Sequence, residues 1–163
     1  MKIIIDAMGG DNAPDEIVKG TIIAAKRHPE AEIVLVGRAD EIRQSAEKQG
    51  LSLEGITVEH AESVVTMEDN PADAFRNKKD SSLCTGLRML KEDGDVFLSA
   101  GSTGALIFCS TFTVRRLPGV DRPCLAAVLP FDPPVMIVDC GANIEVKPEY
   151  FAQWALLGSI YYK

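Results

Sequence analysis

Three short stretches place small residues, glycines and an acid or hydroxyl directly after an apolar run. "IIIDAMGGD" ends its run at Asp6 and continues through Gly9, Gly10 and Asp11. "VFLSAGSTGA" supplies Ser99, Gly101, Ser102, Thr103 and Gly104, and "MIVDCGAN" supplies Asp139, Gly141 and Asn143. Glycine carries no Cβ, so backbone N–H groups in such a turn can face outward. A helix starting there adds unsatisfied donors and about half a positive charge. Together these features make a seat for an anion, phosphate above all, or for the oxyanion of an acyl-transfer intermediate. Ser99, Ser102 and Thr103 would add hydroxyl donors. Asp6 and Asp11 would orient the turn or accept a proton, and Asn143 would donate to a carbonyl.

The spacing is not that of a common nucleotide site. A P-loop needs a lysine and a hydroxyl residue after its second glycine, whereas Gly104 is followed by Ala105 and Leu106. "DAMGGD" lacks the G-x-G-x-x-G pattern of a dinucleotide turn. A small anion is the better fit, with no cofactor. His28 ends a helix pattern and His60 ends a strand pattern, neither with a serine or cysteine partner, so a nucleophilic triad is not expected. Cys84, Cys109, Cys124 and Cys140 form no C-x-x-C pair and lie in or beside apolar segments. That reads as reduced, buried thiols of a cytoplasmic protein, with no metal.

Positive charge for the anion must come from another segment. "FRNKKDSS" offers Arg76, Lys78 and Lys79. Lys78 and Lys79 are the first choices because their loop precedes a capped helix, and one or the other would neutralise charge. Arg38 and Lys147 are further candidates. Arg115, Arg116 and Arg122 form a second basic cluster that would meet an acidic partner or close the helix before it.

Strands alternating with helices must position these turns. β-branched runs at "KIIID", "AEIVLVG", "GITVEHA" and "DVFLSA" read as strands, the buried kind found in parallel sheets. Between them, "PDEIVKGTIIAAKRH", "ADEIRQSAEKQG" and "SSLCTGLRMLKEDG" read as helices, the last capped by Ser81 or Ser82. A further helix begins at Pro71, another spans "STGALIFCSTFTVRR", and a last one begins near Pro148. "CLAAVLP" and "PVMIVD", separated by "FDPP", are close enough for an antiparallel hairpin. The expected fold is α/β: a three-layer sandwich on a mostly parallel, mixed sheet. In such a sheet ligands bind outside the carboxyl ends of the strands, where the three turns would lie. The polar segment from Glu62 to Ser82 would be a lid or a loop near the site.

The chain has 163 residues and a formal charge of −7, which suits one domain and argues against nonspecific nucleic-acid binding. No apolar run reaches the ~20 residues of a membrane span. The final helix pattern is still in progress at Lys163, so residues 1–163 are expected to be a single α/β domain forming the N-terminal part of a longer chain.

"MKIIIDAMGGDNAP", "MEDNPADAFRNKKDSS", "SAGSTGAL", "RLPGVDRPCLAAVLP" and "VDCGAN…KPE" occur in that order. With these motifs the chain resembles the bacterial phosphate acyltransferases of phospholipid synthesis, the PlsX family, over about the first half of the family's length. The resemblance implies a fold similar to the isocitrate/isopropylmalate dehydrogenases. It implies an acyltransferase that converts acyl-[acyl carrier protein] and inorganic phosphate into acyl phosphate and free carrier. It further implies a homodimer in the cytoplasm, able to associate peripherally with the membrane. The family's common form has asparagine where this chain has Ser102. Two other readings compete: a phosphotransacetylase-like enzyme using coenzyme A, and a non-catalytic fragment that binds or dimerises.

Overall fold

The computed structural model describes residues 1–162, and Lys163, where the last helix pattern was read as still in progress, lies outside them. The chain divides into two compact units, Met1–Val114 and Arg115–Lys163.

The first unit alternates strand and helix: β1 (Lys2–Asp6), α1 (Asp15–Arg27), β2 (Glu32–Gly37), α2 (Ala39–Lys48) and β3 (Ile56–His60). It continues through α3 (Pro71–Asn77), α4 (Ser82–Glu92), β4 (Val96–Leu98) and α5 (Thr103–Thr113). The four strands form one parallel sheet in the order β3-β2-β1-β4. The chain therefore builds outward from β1 through β2 to β3, then returns to add β4 on the other side of β1. That reversal puts a topological switch point between β1 and β4, the place where a parallel sheet opens a crevice at its carboxyl edge.

Alternation along β2 shows why the unit is layered. Leu35 joins Ala7, Val18, Ile22 and Ile42 in the core under α1 and α2. Val34 and Val36 point the other way, joining Ile4 and Ala61 in a cluster backed by Met89 and Leu90 of α4. Helices thus cover both faces, and the run of β-branched residues is buried on both sides. Ile4, Leu35 and Ile42 are fully buried, each contributing roughly 1.5–3 kcal/mol of apolar burial. A third cluster, with Ala74, Leu83, Leu87, Ala105 and Cys109, joins α3, α4 and α5.

Local capping fixes where the helices near the turns begin. The Asn70 side chain accepts from the Ala72 and Asp73 N–H groups, with Pro71 at the first helical position. Ser81 caps α4 through the Cys84 N–H at 3.3 Å, and Ser102 caps α5 through the Ala105 N–H at 3.3 Å. α5 stops at Thr113, short of the arginines that its apolar pattern ran into; Arg115 adopts φ 73°, a left-handed turn that ends the helix without a glycine.

The polar segment from Glu62 to Ser82 is closed at its base. Ser63 pairs with Ser81 in a parallel bridge, and the Ser63 hydroxyl donates to Asp80 at 2.7 Å.

The second unit is a two-stranded antiparallel hairpin, β5 (Ala126–Leu129) and β6 (Val135–Val138), with α6 (Pro148–Tyr161). The hairpin read from "FDPP" is present, as a two-stranded sheet rather than as added strands of the parallel one. α6 packs on β6 at Gly158, where a Cβ would stand 3.4 Å from Met136 and Val138. The Gln153 side chain binds the Asp121 N–H at 2.8 Å and the Gly119 carbonyl at 2.7 Å, and the buried Trp154 donates to the Arg122 carbonyl at 3.1 Å.

Candidate functional site

The turns after β1 and β4 meet because their strands are neighbours in the sheet. Asp6 ends β1 and is buried. Its Oδ1 accepts from the Met8 N–H at 3.1 Å and its Oδ2 from the Ser99 hydroxyl at 2.8 Å. Ser99 Oγ in turn accepts the Gly101 N–H at 3.1 Å. One carboxylate thus ties both turns together through a single hydroxyl.

Glycine permits the approach. A Cβ on Gly9 would lie 2.7 Å from both Asp6 Oδ2 and Ser99 Oγ and 2.9 Å from the Gly101 nitrogen. Gly10 adopts φ +110°, which L side chains rarely tolerate. A Cβ on Gly101 would lie 3.3 Å from the Gly9 Cα. The backbone at Gly101 therefore packs on that of Gly9, with the Asp6 and Ser99 side chains filling the space a Cβ on Gly9 would need.

Several donors remain open there. Among the described residues, the N–H groups of Gly10, Ser102, Thr103 and Gly104 donate to no protein acceptor. The last three open α5, so the positive end of that helix lies at the same junction. Ser102 accepts the Ala105 N–H as a cap and keeps its own proton to donate. Ser99 is different: it both donates and accepts within the turn. Thr103 and Asp11 are exposed.

The lysines are placed otherwise. The Lys78 ammonium donates to Asp69 Oδ2 at 2.5 Å and to the Val64 carbonyl at 2.8 Å, bracing the loop before α3. Lys78 holds the Asp69 carboxyl below the ordinary aspartate pKa, helped by the Thr66 N–H. Lys79 lies beside α4, its carbonyl accepting from Arg88 Nη1 at 3.0 Å. Arg38 is occupied by Glu41 and the Glu62 carbonyl. Nothing in the spacing of the sequence singled out Asp69, because its pairing with Lys78 is made across a loop.

The third turn belongs to the second unit and is built by its own contacts. Asp139 accepts from the Leu125 N–H at 2.7 Å and the Asn143 N–H at 2.9 Å. Burial opposes its ionisation, but these N–H groups, with the Asn143 amide and the Ala142 N–H, outweigh burial and lower its pKa. Asn143 Nδ2 donates to the Pro123 carbonyl at 3.0 Å and to Asp139 Oδ2 at 3.3 Å, which occupies both of its amide protons. Gly141, at φ +92°, turns the chain between them.

In chemical terms the β1–β4 junction gathers main-chain N–H groups that have no protein acceptor beside the start of α5. The Ser99 hydroxyl that donates to the Asp6 carboxylate also accepts the Gly101 N–H, so both of its contacts lie within the two turns.

The family model described as "Fatty acid synthesis protein" matches residues 1–163. A phosphate acyltransferase from Magnetococcus marinus is 42% identical over 163 residues, covering 99% of this chain and 47% of that protein. Proteins of the same name from Acetivibrio thermocellus and Clostridium acetobutylicum are 42% and 41% identical over 165 residues. The chain spans about half the length of the curated relatives it matches.

Proposed function

The chain belongs to the fatty acid synthesis protein family, and from that premise we propose that it carries the phosphate seat of an acyltransferase. The enzyme makes acyl phosphate from acyl-[acyl carrier protein] and inorganic phosphate, for phospholipid synthesis. The observation that carries this reading is the glycine-to-glycine contact of the β1 and β4 turns at the switch point of the sheet. The names of the relatives support the reaction, and the resemblance supports a homodimer in the cytoplasm that attaches peripherally to the membrane. Among the described residues no helix is long and apolar enough to cross a membrane.

Phosphate is itself the nucleophile, so no covalent enzyme intermediate is required. One of its oxygens attacks the thioester carbonyl carbon, and the carbonyl oxygen gains negative charge. The C–S bond then breaks, and the carrier leaves as a thiolate that takes up a proton. The protein's task is to hold phosphate in line and to stabilise the oxyanion. Gly10, Ser102, Thr103 and Gly104 supply the main-chain donors, and the start of α5 supplies positive potential. A donor aimed at the developing oxyanion is worth roughly 3 kcal/mol. Asp6 acts as a positioning residue through Ser99 and Gly101, and Lys78 positions the loop of Asp69.

The test uses the full-length protein with acyl carrier protein thioester, phosphate and a trap for acyl phosphate. Gly101→Val should abolish phosphate-dependent thioester loss. Unchanged turnover would place the seat elsewhere. Equal or faster turnover of the coenzyme A thioester would favour a phosphotransacetylase-like enzyme.

A further inference from the structure

The first unit holds a cavity of about 480 Å³ between α3, α4 and α5, which shares no residue with the β1 and β4 turns. That size is typical of small-molecule sites. One wall is aromatic. Phe75 of α3 and Phe112 of α5 stand with ring centroids 5.5 Å apart, and Phe112 is 56% exposed although it is a large apolar residue. The rim is cationic: Lys79, Arg88 and Lys91 line it, with Glu92 the lone carboxylate. Cys84, Arg88 and Lys91 follow at spacings of four and three, so α4 presents them on one face. Among the described residues none of the three cations is ion-paired. They cluster on a chain whose formal charge is −7.

We propose that this cavity binds a single-chain amphipathic anion, its apolar tail on Phe75 and Phe112 and its phosphate or carboxylate head among Lys79, Arg88 and Lys91. An inorganic anion would leave the aromatic wall in water. A neutral lipid would desolvate the cations without pairing them. The site goes beyond the phosphate seat and does not depend on it.

The experiment uses full-length protein and decyl phosphate below its micellisation concentration, followed by calorimetry and by alkylation of Cys84, which lines the cavity. Saturable binding with one ligand per chain is expected, together with slower Cys84 alkylation. The pair Lys79→Glu and Lys91→Glu should weaken binding about tenfold or more. Phe112→Ser, at an exposed position, should weaken it as well. Decanoate should bind where decyl phosphate does, which separates a general anionic head from a phosphate-specific one. Gly101→Val should leave binding intact. The proposal fails if charge reversal leaves binding unchanged or if inorganic phosphate alone protects Cys84. It also fails if Gly101→Val abolishes binding, which would move the amphiphile to the β1–β4 turns.

Discussion

Ser99 donates its hydroxyl to Asp6 at 2.8 Å across 93 positions of sequence. The same oxygen accepts the Gly101 N–H, so the carboxylate at the end of β1 governs the shape of the turn after β4. Removing the hydroxyl leaves Asp6 Oδ2 without that donor in a buried site. Ser99→Ala should cost about 1–3 kcal/mol in urea unfolding and weaken phosphate binding. The double variant with Asp6→Asn should cost less than the sum of the singles. Additive costs would mean that the two residues act independently.

The three glycines of the junction should rank by the space a methyl group would find. Gly9→Ala places a Cβ 2.7 Å from two oxygens, Gly101→Ala places one 3.3 Å from Gly9, and Gly104→Ala meets Pro71 at an ordinary 3.7 Å. Phosphate-dependent turnover of the full-length enzyme should fall on the order of a hundredfold for Gly9→Ala and less for Gly101→Ala. Gly104→Ala lies in the first turn of α5 and should leave turnover near that of the parent. An equal response at all three positions would detach the effect from this packing.

The strands could be read from sequence because each is a compact β-branched run, and the helix starts because Asn70, Ser81 and Ser102 cap them locally. The glycine turns were legible for the same reason: their character sits within a few residues. What the pattern could not supply was pairing at a distance. That Ser99 meets Asp6 depends on β4 lying beside β1, a choice of strand order that periodicity does not encode. Lys78 drew notice as a free cation, yet Asp69 and the Val64 carbonyl take its ammonium, a contact set by the fold of the loop. The α4 face of Cys84, Arg88 and Lys91 had a helical spacing that could have been read, but only the placement of Phe112 turns it into a cavity wall.

Cys84 and Cys109 should differ in reactivity. The neighbouring Cys109 thiol, and after it Ser81 and Arg88, pull the Cys84 thiol below the ordinary range, with burial opposing. The Cys109 thiol is pushed up by the same contact and by burial. Alkylation followed by peptide mass mapping should modify Cys84 first, with a rate that rises below the ordinary thiol range of about 8.5. Cys109→Ala should move that profile upward. A Cys84 profile that Cys109→Ala leaves in place would remove Cys109 from the account.

The Lys78–Asp69 pair makes stability depend on acid. The Asp69 pKa is lowered in the folded protein, chiefly by Lys78. A depressed carboxyl contributes stability that is complete above its unfolded value, about 3.9, and is lost as pH falls through the lower native value. The unfolding free energy of the parent protein should therefore drop below about pH 4, and Asp69→Asn should flatten part of that drop. At neutral pH the coupling between the two residues in a double-mutant cycle should be about 1 kcal/mol or less. The pair also separates two roles for the lysine. If Lys78 only braces the loop, Lys78→Met and Asp69→Asn should raise the phosphate requirement of the full-length enzyme alike, because each breaks the same contact. A much larger loss from Lys78→Met alone would mean that the ammonium leaves Asp69 to bind the substrate anion.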